Sequence, residues 1–228
     1  MSPIIMLLGG SPAGFPQITA MQVTILDDYD SVRVLNIPSG SVGDVILVSV
    51  RTGGSPNVHS LPSGYTLLGN TSTTARWSHF YRVADGSEGS TITINVTTDG
   101  VTTQNVRAVA IARRISSVLT GEASFIHRQA DTGATPGAAT APWGSSKNLF
   151  ITEYSSRYAA WLANAPPAGY GTLVFEVNTE NHVTSTGIAS AHRELEAASD
   201  TPGAWDLSFP VEAGTTEHAI TVILRGSP

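Results

Sequence analysis

One order of motifs is written twice in this chain. "GDVILVSV" at 43–50 is answered by "KNLFITEY" at 147–154, and "LPSGYTLL" at 61–68 by "PPAGYGTL" at 166–173. "SHFYRVADGSEG" at 78–89 is answered by "ASAHRELEAASDTPG" at 189–203, and "STITINV" at 90–96 by "AWDLSFPV" at 204–211. Last comes "VRAVAIAR" at 106–113, answered by "HAITVILR" at 218–225, each a long apolar strand closed by an arginine, Arg113 or Arg225. A unit of about a hundred residues is too long for a solenoid repeat. It suits a four- or five-stranded antiparallel half that occurs twice.

A lone sheet of that size leaves one apolar face in water. Two such sheets packed face to face bury both faces, at about 25 cal/mol per Å² of apolar surface removed from solvent. The expectation is therefore an all-β, antiparallel β-sandwich, jelly-roll-like, built from two duplicated halves. Those halves are about 21–131 and 147–228, joined by the Gly/Ala/Thr/Pro loop 132–146 and preceded by an arm at 1–20. Two small sandwiches in tandem are the alternative. In either case Pro-x-Gly-Tyr marks equivalent corners, where Pro fixes φ, Gly permits φ > 0 and the Tyr ring packs on the sheet end.

Strand signals run the length of the chain. "MQVTILDD" (21–28) and "SVRVLNIP" (31–38) alternate with period two, whereas "GDVILVSVR" (43–51) is apolar throughout, as in a strand buried on both faces. Strands are also expected at 65–70, 75–85, 90–98, 106–115, 122–131, 148–155, 172–179, 185–195, 204–211 and 218–226. Only 156–165 and 190–199 have helical composition; Pro166 stops the first, and the repeat makes a strand of the second. The N-terminal "MSPIIMLLGGSPAGFPQ" has no basic region, its apolar run is too short for a signal core or a span, and its Gly and Pro residues forbid a helix. It reads as an irregular assembly arm whose Ile4, Ile5, Leu7, Leu8 and Phe15 must be buried on the parent domain or on a neighbouring subunit.

Composition narrows the chemistry. Charged residues make up 13% of the chain, about half the usual share, and eleven of the twelve basic residues are Arg, with Lys147 alone. Net charge is −6 and no cation cluster occurs, which argues against nucleic-acid binding. There is no cysteine, and so no disulfide, thiol nucleophile or Cys-based zinc site. No G-x-S-x-G elbow, H-E-x-x-H or EF-hand pattern appears. The six histidines read as loop and strand-edge residues, and no catalytic, cofactor or metal residue is assigned. "LDDYDS" (26–31) gathers Asp27, Asp28 and Asp30, which suits a hairpin turn better than a loose Ca²⁺ corner. His192 and Glu196 stand in helical register, but a strand sets them too far apart to share a ligand. Glu153, Glu176, Glu180 and Asp206 could supply a carboxylate pair for glycoside hydrolysis; surface-facing strand acids are the simpler reading. Aromatics concentrate in the second half, and Trp143, Tyr154, Tyr158 and Trp161 are the candidates for a glycan platform or a partner contact.

The series "PSGSVGDVILV" (38–48), Pro-x-Gly-Tyr, "WSHFYRVADG" (77–86), "TITINV" and an Ala/Val/Ile strand ending in Arg resembles duplicated all-β accessory virion proteins of tailed bacteriophages. There the analogous motifs read Gly-Asp plus a hydrophobic run, Pro-Pro-Gly-Trp and Tyr-Arg-x-Ala. The resemblance spans roughly residues 35–226, with Tyr65 and Tyr170 where Trp is frequent. It implies a non-enzymatic virion part, with capsid decoration first and a tail-fibre, tail-associated or glycan-binding attachment module second. It implies contacts with major capsid or tail proteins, a homo-oligomer and, for an attachment module, a host surface glycan. No nucleic-acid, membrane or cofactor partner is expected, and the resemblance carries over no functional residue.

Overall fold

A computed structural model of the chain describes residues 14–53, 58–70, 77–120, 125–130, 133–157, 163–177, 186–208 and 217–227. Every regular element among them is a β-strand. In chain order the long strands are β1 (Gln17–Asp30), β3 (Val45–Thr52), β5 (Thr66–Asn70), β6 (Trp77–Val83) and β8 (Val106–Ser116), followed by β9 (Phe125–Ala130), β11 (Lys147–Arg157), β13 (Gly171–Val177), β14 (Thr186–Glu196) and β17 (Glu217–Arg225). Between them lie β2 (Val32–Asn36), β4 (Val58–His59), β7 (Thr91–Thr97), β10 (Ala139–Thr140), β12 (Ala163–Ala165), β15 (Ser199–Asp200) and β16 (Asp206–Leu207).

Two five-stranded antiparallel sheets dominate, ordered β1-β8-β3-β6-β5 and β9-β17-β11-β14-β13. The two orders agree position by position. The first half adds a sheet β2-β7-β4, and the second adds the short pairs β10-β15 and β12-β16. The expected two-layer sandwich is thus only the middle of the arrangement.

The hydrophobic cores show why. Val45, Leu47, Trp77, Val109, Ile111 and Ile115 from the first large sheet pack against Leu149, Ile151, Ile188, Ile220, Val222 and Leu224 from the second. The opposite face of the first sheet (Ile46, Val48, Val50, Phe80, Ala110, Ala112) packs on Leu35, Ile92 and Ile94 of its small sheet. The second half repeats this with Phe150, Tyr154, Ala189 and Ile223 against Ala139, Ala141 and Trp205. Since each large sheet is covered on both sides, β3 is buried at every position, as its unbroken apolar sequence requires.

Two boundaries differ from the sequence reading. β1 begins at Gln17, inside the segment read as an arm, and β9, counted with the first half, pairs with β17 of the second sheet. β9 stands at the edge of its sheet where β1 stands in the other, so the change of half falls before 125. The two segments of helical composition contain no helix among their described residues; 190–196 continues β14.

Candidate functional site

The aromatic candidates are not brought together. Tyr154 is fully buried in the core of the second half and offers no platform. Trp143 is half-buried, donates from Nε1 to Asn148 Oδ1 at 3.1 Å, and has the Arg225 guanidinium 5.9 Å from its ring centroid. It caps a core edge rather than standing free. Tyr158 and Trp161 lie outside the described residues, as do Ile4, Ile5, Leu7 and Leu8 of the arm.

Phe15 marks the root of that arm. Its ring is half-buried with Lys147 Nζ 5.9 Å from the centroid, and Gln17 Nε2 donates to Glu194 Oε1 at 2.9 Å. Backbone closes the same junction. A Cβ added at Gly226 would stand 2.3 Å from Gly14 O and 2.5 Å from Lys147 O. The root is clamped to the second half while its continuation, β1, belongs to the first sheet. The loop that joins the halves, described from residue 133 to 146, is laid on its own half. Ala139 and Ala141 are core residues, Thr221 Oγ1 donates to Gly137 O at 2.9 Å, and Trp205 N donates to Ala134 O at 3.0 Å.

A buried ionic cluster crosses the central core. Glu153, read from the sequence as a surface acid, has no exposure. It accepts hydrogen bonds from Ser49 Oγ at 2.9 Å, from His79 Nε2 at 2.8 Å and from Arg113 Nη2. β3, β6, β8 and β11 thus meet at one carboxylate, and Arg113 ties in β14 by donating to Ser190 Oγ at 2.6 Å. Burial alone would raise the Glu153 pKa; the Arg113 charge and the His79 hydrogen bond outweigh it and hold it down to about 2. The carboxylate is fully enclosed and neutralised in place, which suits a clasp between sheets better than proton transfer to a ligand. The sequence alone does not single out these four residues, because Ser49, His79, Arg113 and Glu153 share their strands with other polar side chains such as Arg51, Ser78, Arg114 and Thr152.

The remaining acids separate. Asp206 is exposed, Glu176 is half-buried and Glu180 lies outside the described residues. At the Asp corner, Asp30 Oδ1 accepts from Ser31 N at 2.6 Å and Asp28 pairs with Arg33 at 2.9 Å, the turn chemistry expected there. Among the described residues no three His, Asp or Glu side chains are grouped to hold a metal ion.

The two Pro-x-Gly-Tyr corners are built alike. Tyr65 N donates to Pro62 O at 3.1 Å and Tyr170 N to Pro167 O at 3.0 Å, with Gly64 at φ +77° and Gly169 at φ +83°. An arginine lies over each turn: an added Cβ would meet Arg82 Nη1 at 2.9 Å on Gly64 and Arg193 Nη1 at 3.0 Å on Gly169. Both tyrosines are buried.

Their surroundings then diverge. Tyr170 donates its hydroxyl to Asp200 Oδ2, and Arg193 grips both Asp200 oxygens, through Nε at 2.8 Å and through Nη2, with its Cζ 4.8 Å from the Tyr170 centroid. Beside Tyr65 there is instead a pocket of about 520 Å³, which includes Ser63, Arg82, Ser87, Ile92 and Thr93 in its lining. The Tyr65 hydroxyl is buried and has no hydrogen-bond partner among the described residues.

No family model, curated protein or solved structure matches this chain.

Proposed function

We propose that the chain is a non-enzymatic structural component of a tailed-phage virion, foremost a capsid decoration or head-surface protein. It would bind other virion proteins through its arm and its sandwich surfaces. We also read the two equal strand orders as jelly-roll-like halves produced by duplication. The observation that carries the functional reading is the clamped arm root. Residues 14–17 are tied to the second half through Lys147, Glu194 and Gly226 and run directly into β1 of the first sheet. Apolar residues upstream of such a root can take load against a neighbour without loosening either sheet. A polar surface poor in charge adds to this, since it can be covered by a partner with little charge desolvation.

Deletion of residues 1–13, with the chain quantified on purified particles by immunoblot, tests the reading. Loss of incorporation with an unchanged melting temperature is expected. Full incorporation without those residues would remove the arm from the account, and absence of the intact chain from particles would remove the virion role. A tail-fibre or glycan-binding attachment module is the second reading, and the open corner beside Tyr65 favours it.

A further inference from the structure

We propose that the corner beside Tyr65 is a binding pocket for the carboxylate of a sugar acid, a residue of uronate type. The molecule itself supplies the comparison. In the second half, Ala139 pairs with Asp200 and Ala141 N donates to Ala198 O; in the first, Leu35 pairs with Ile92 and Ile37 N donates to Ser90 O. Ile92 therefore stands where Asp200 stands. The second corner carries its own carboxylate, held by a tyrosine hydroxyl and by a two-pronged arginine. The first keeps the tyrosine, the turn and the arginine, has an aliphatic residue in place of the acid, and has beside it a pocket that Tyr65, Arg82 and Ile92 all line.

The groups of the open corner are disposed to receive what is missing. The Tyr65 hydroxyl is a buried donor without a partner, a costly state that a carboxylate oxygen relieves. Arg82 bonds Asp85 Oδ1 and Ser87 Oγ, both at 2.7 Å, but the Asp85 side chain is 63% exposed. An exposed pair of that kind is weak and easily exchanged for a better-placed carboxylate. Glu88 also lines the pocket, but Arg114 holds it at 2.5 Å and neutralises it. The rest of the chemistry points to a sugar. A pocket of 520 Å³ is far larger than a carboxylate needs, and the exposed residues Ser63 and Thr93 in its lining bring hydroxyls to a polyhydroxylated ring.

Heteronuclear NMR titration of the full chain with D-glucuronate, neutral glucuronamide and N-acetyl-aspartate N-methylamide tests this; particle location plays no part in the assay. The predicted result is a preference for glucuronate over glucuronamide of about ten-fold or more, as expected for a hydrogen bond to a charged group. Tyr65→Phe should weaken glucuronate binding by a similar factor. Ile92→Asp, which writes the second corner's carboxylate into the first, should abolish it. Thr93→Trp, at an exposed position, fills the pocket without touching the core and decides the matter should Ile92→Asp fail to fold. Four results would each overturn the proposal: no binding of glucuronate, equal binding of glucuronamide, tighter binding of the aspartate derivative, or unchanged binding by Thr93→Trp.

Discussion

Glu153 is the side chain on which the buried ionic cluster of the central core turns. Removing one member of a buried ion pair typically costs about 3–5 kcal/mol, because the other charge is left unpaired. Glu153→Gln is therefore expected to lower the urea-derived unfolding free energy by roughly that amount. Replacing the pair together, as Glu153→Leu with Arg113→Met, should recover much of the loss; a harmless single substitution would mean the cluster is not as enclosed as described. Gly226 is the second sensitive residue. Its added Cβ would meet backbone oxygens of Gly14 and Lys147, which cannot swing aside as a side chain does. Gly226→Ala should destabilise by about 1–3 kcal/mol, in the range of overpacking, and should speed amide exchange at Gln17 and Ile18. The sequence exposed these two residues poorly. An acid in a strand reads as solvent-facing unless its neighbours on other strands are known, and a glycine near a chain end gives no sign of the two backbones that converge on it.

At the level of elements, length decided what could be read. β1, β3, β6, β7, β8, β11, β14 and β17 each run at least seven residues, enough to display alternation or a continuous apolar run. β4, β10, β12, β15 and β16 are two or three residues long and carry no period at all. That is why the short pairs β10-β15 and β12-β16 were not foreseen; β2 and β7 were read as strands, but not that they part from the large sheet to cover its outer face. The same short strands explain why 204–211 looked like one strand but contributes only β16 at its described end, with β15 placed earlier at 199–200. The central core makes a quantitative demand of the long strands. Leu47→Ala and Ile151→Ala face each other's sheets from fully buried positions, and each should cost about 2–5 kcal/mol by chemical denaturation. Val32→Ala, on the outer face of β2 at 45% exposure, should cost little by the same measurement.

For the whole molecule, the shared core means that the two halves stand or fall together. Acid tests this first. Burial and the nearby Arg51 charge lower the His218 pKa to about 4, so the folded state holds this group neutral. Its contribution is intact above the unfolded value near 6.5 and is lost as pH falls toward 4, because the unfolded chain then binds the extra proton. Glu153 acts over a lower window: its contribution is intact above about 4.5 and is lost as pH falls toward about 2. Unfolding free energy should decline below pH 6.5 and fall further below 4.5, and a profile flat from 7 to 3 would contradict both assignments. The most direct test follows denaturation by urea with single-tryptophan proteins, one keeping Trp77 in the first half and one keeping Trp205 in the second, each with and without Glu153→Gln. One shared core predicts coincident transitions whose midpoints fall together when the clasp is broken. Two separate transitions, or a shift confined to the Trp205 probe, would show halves that merely adjoin.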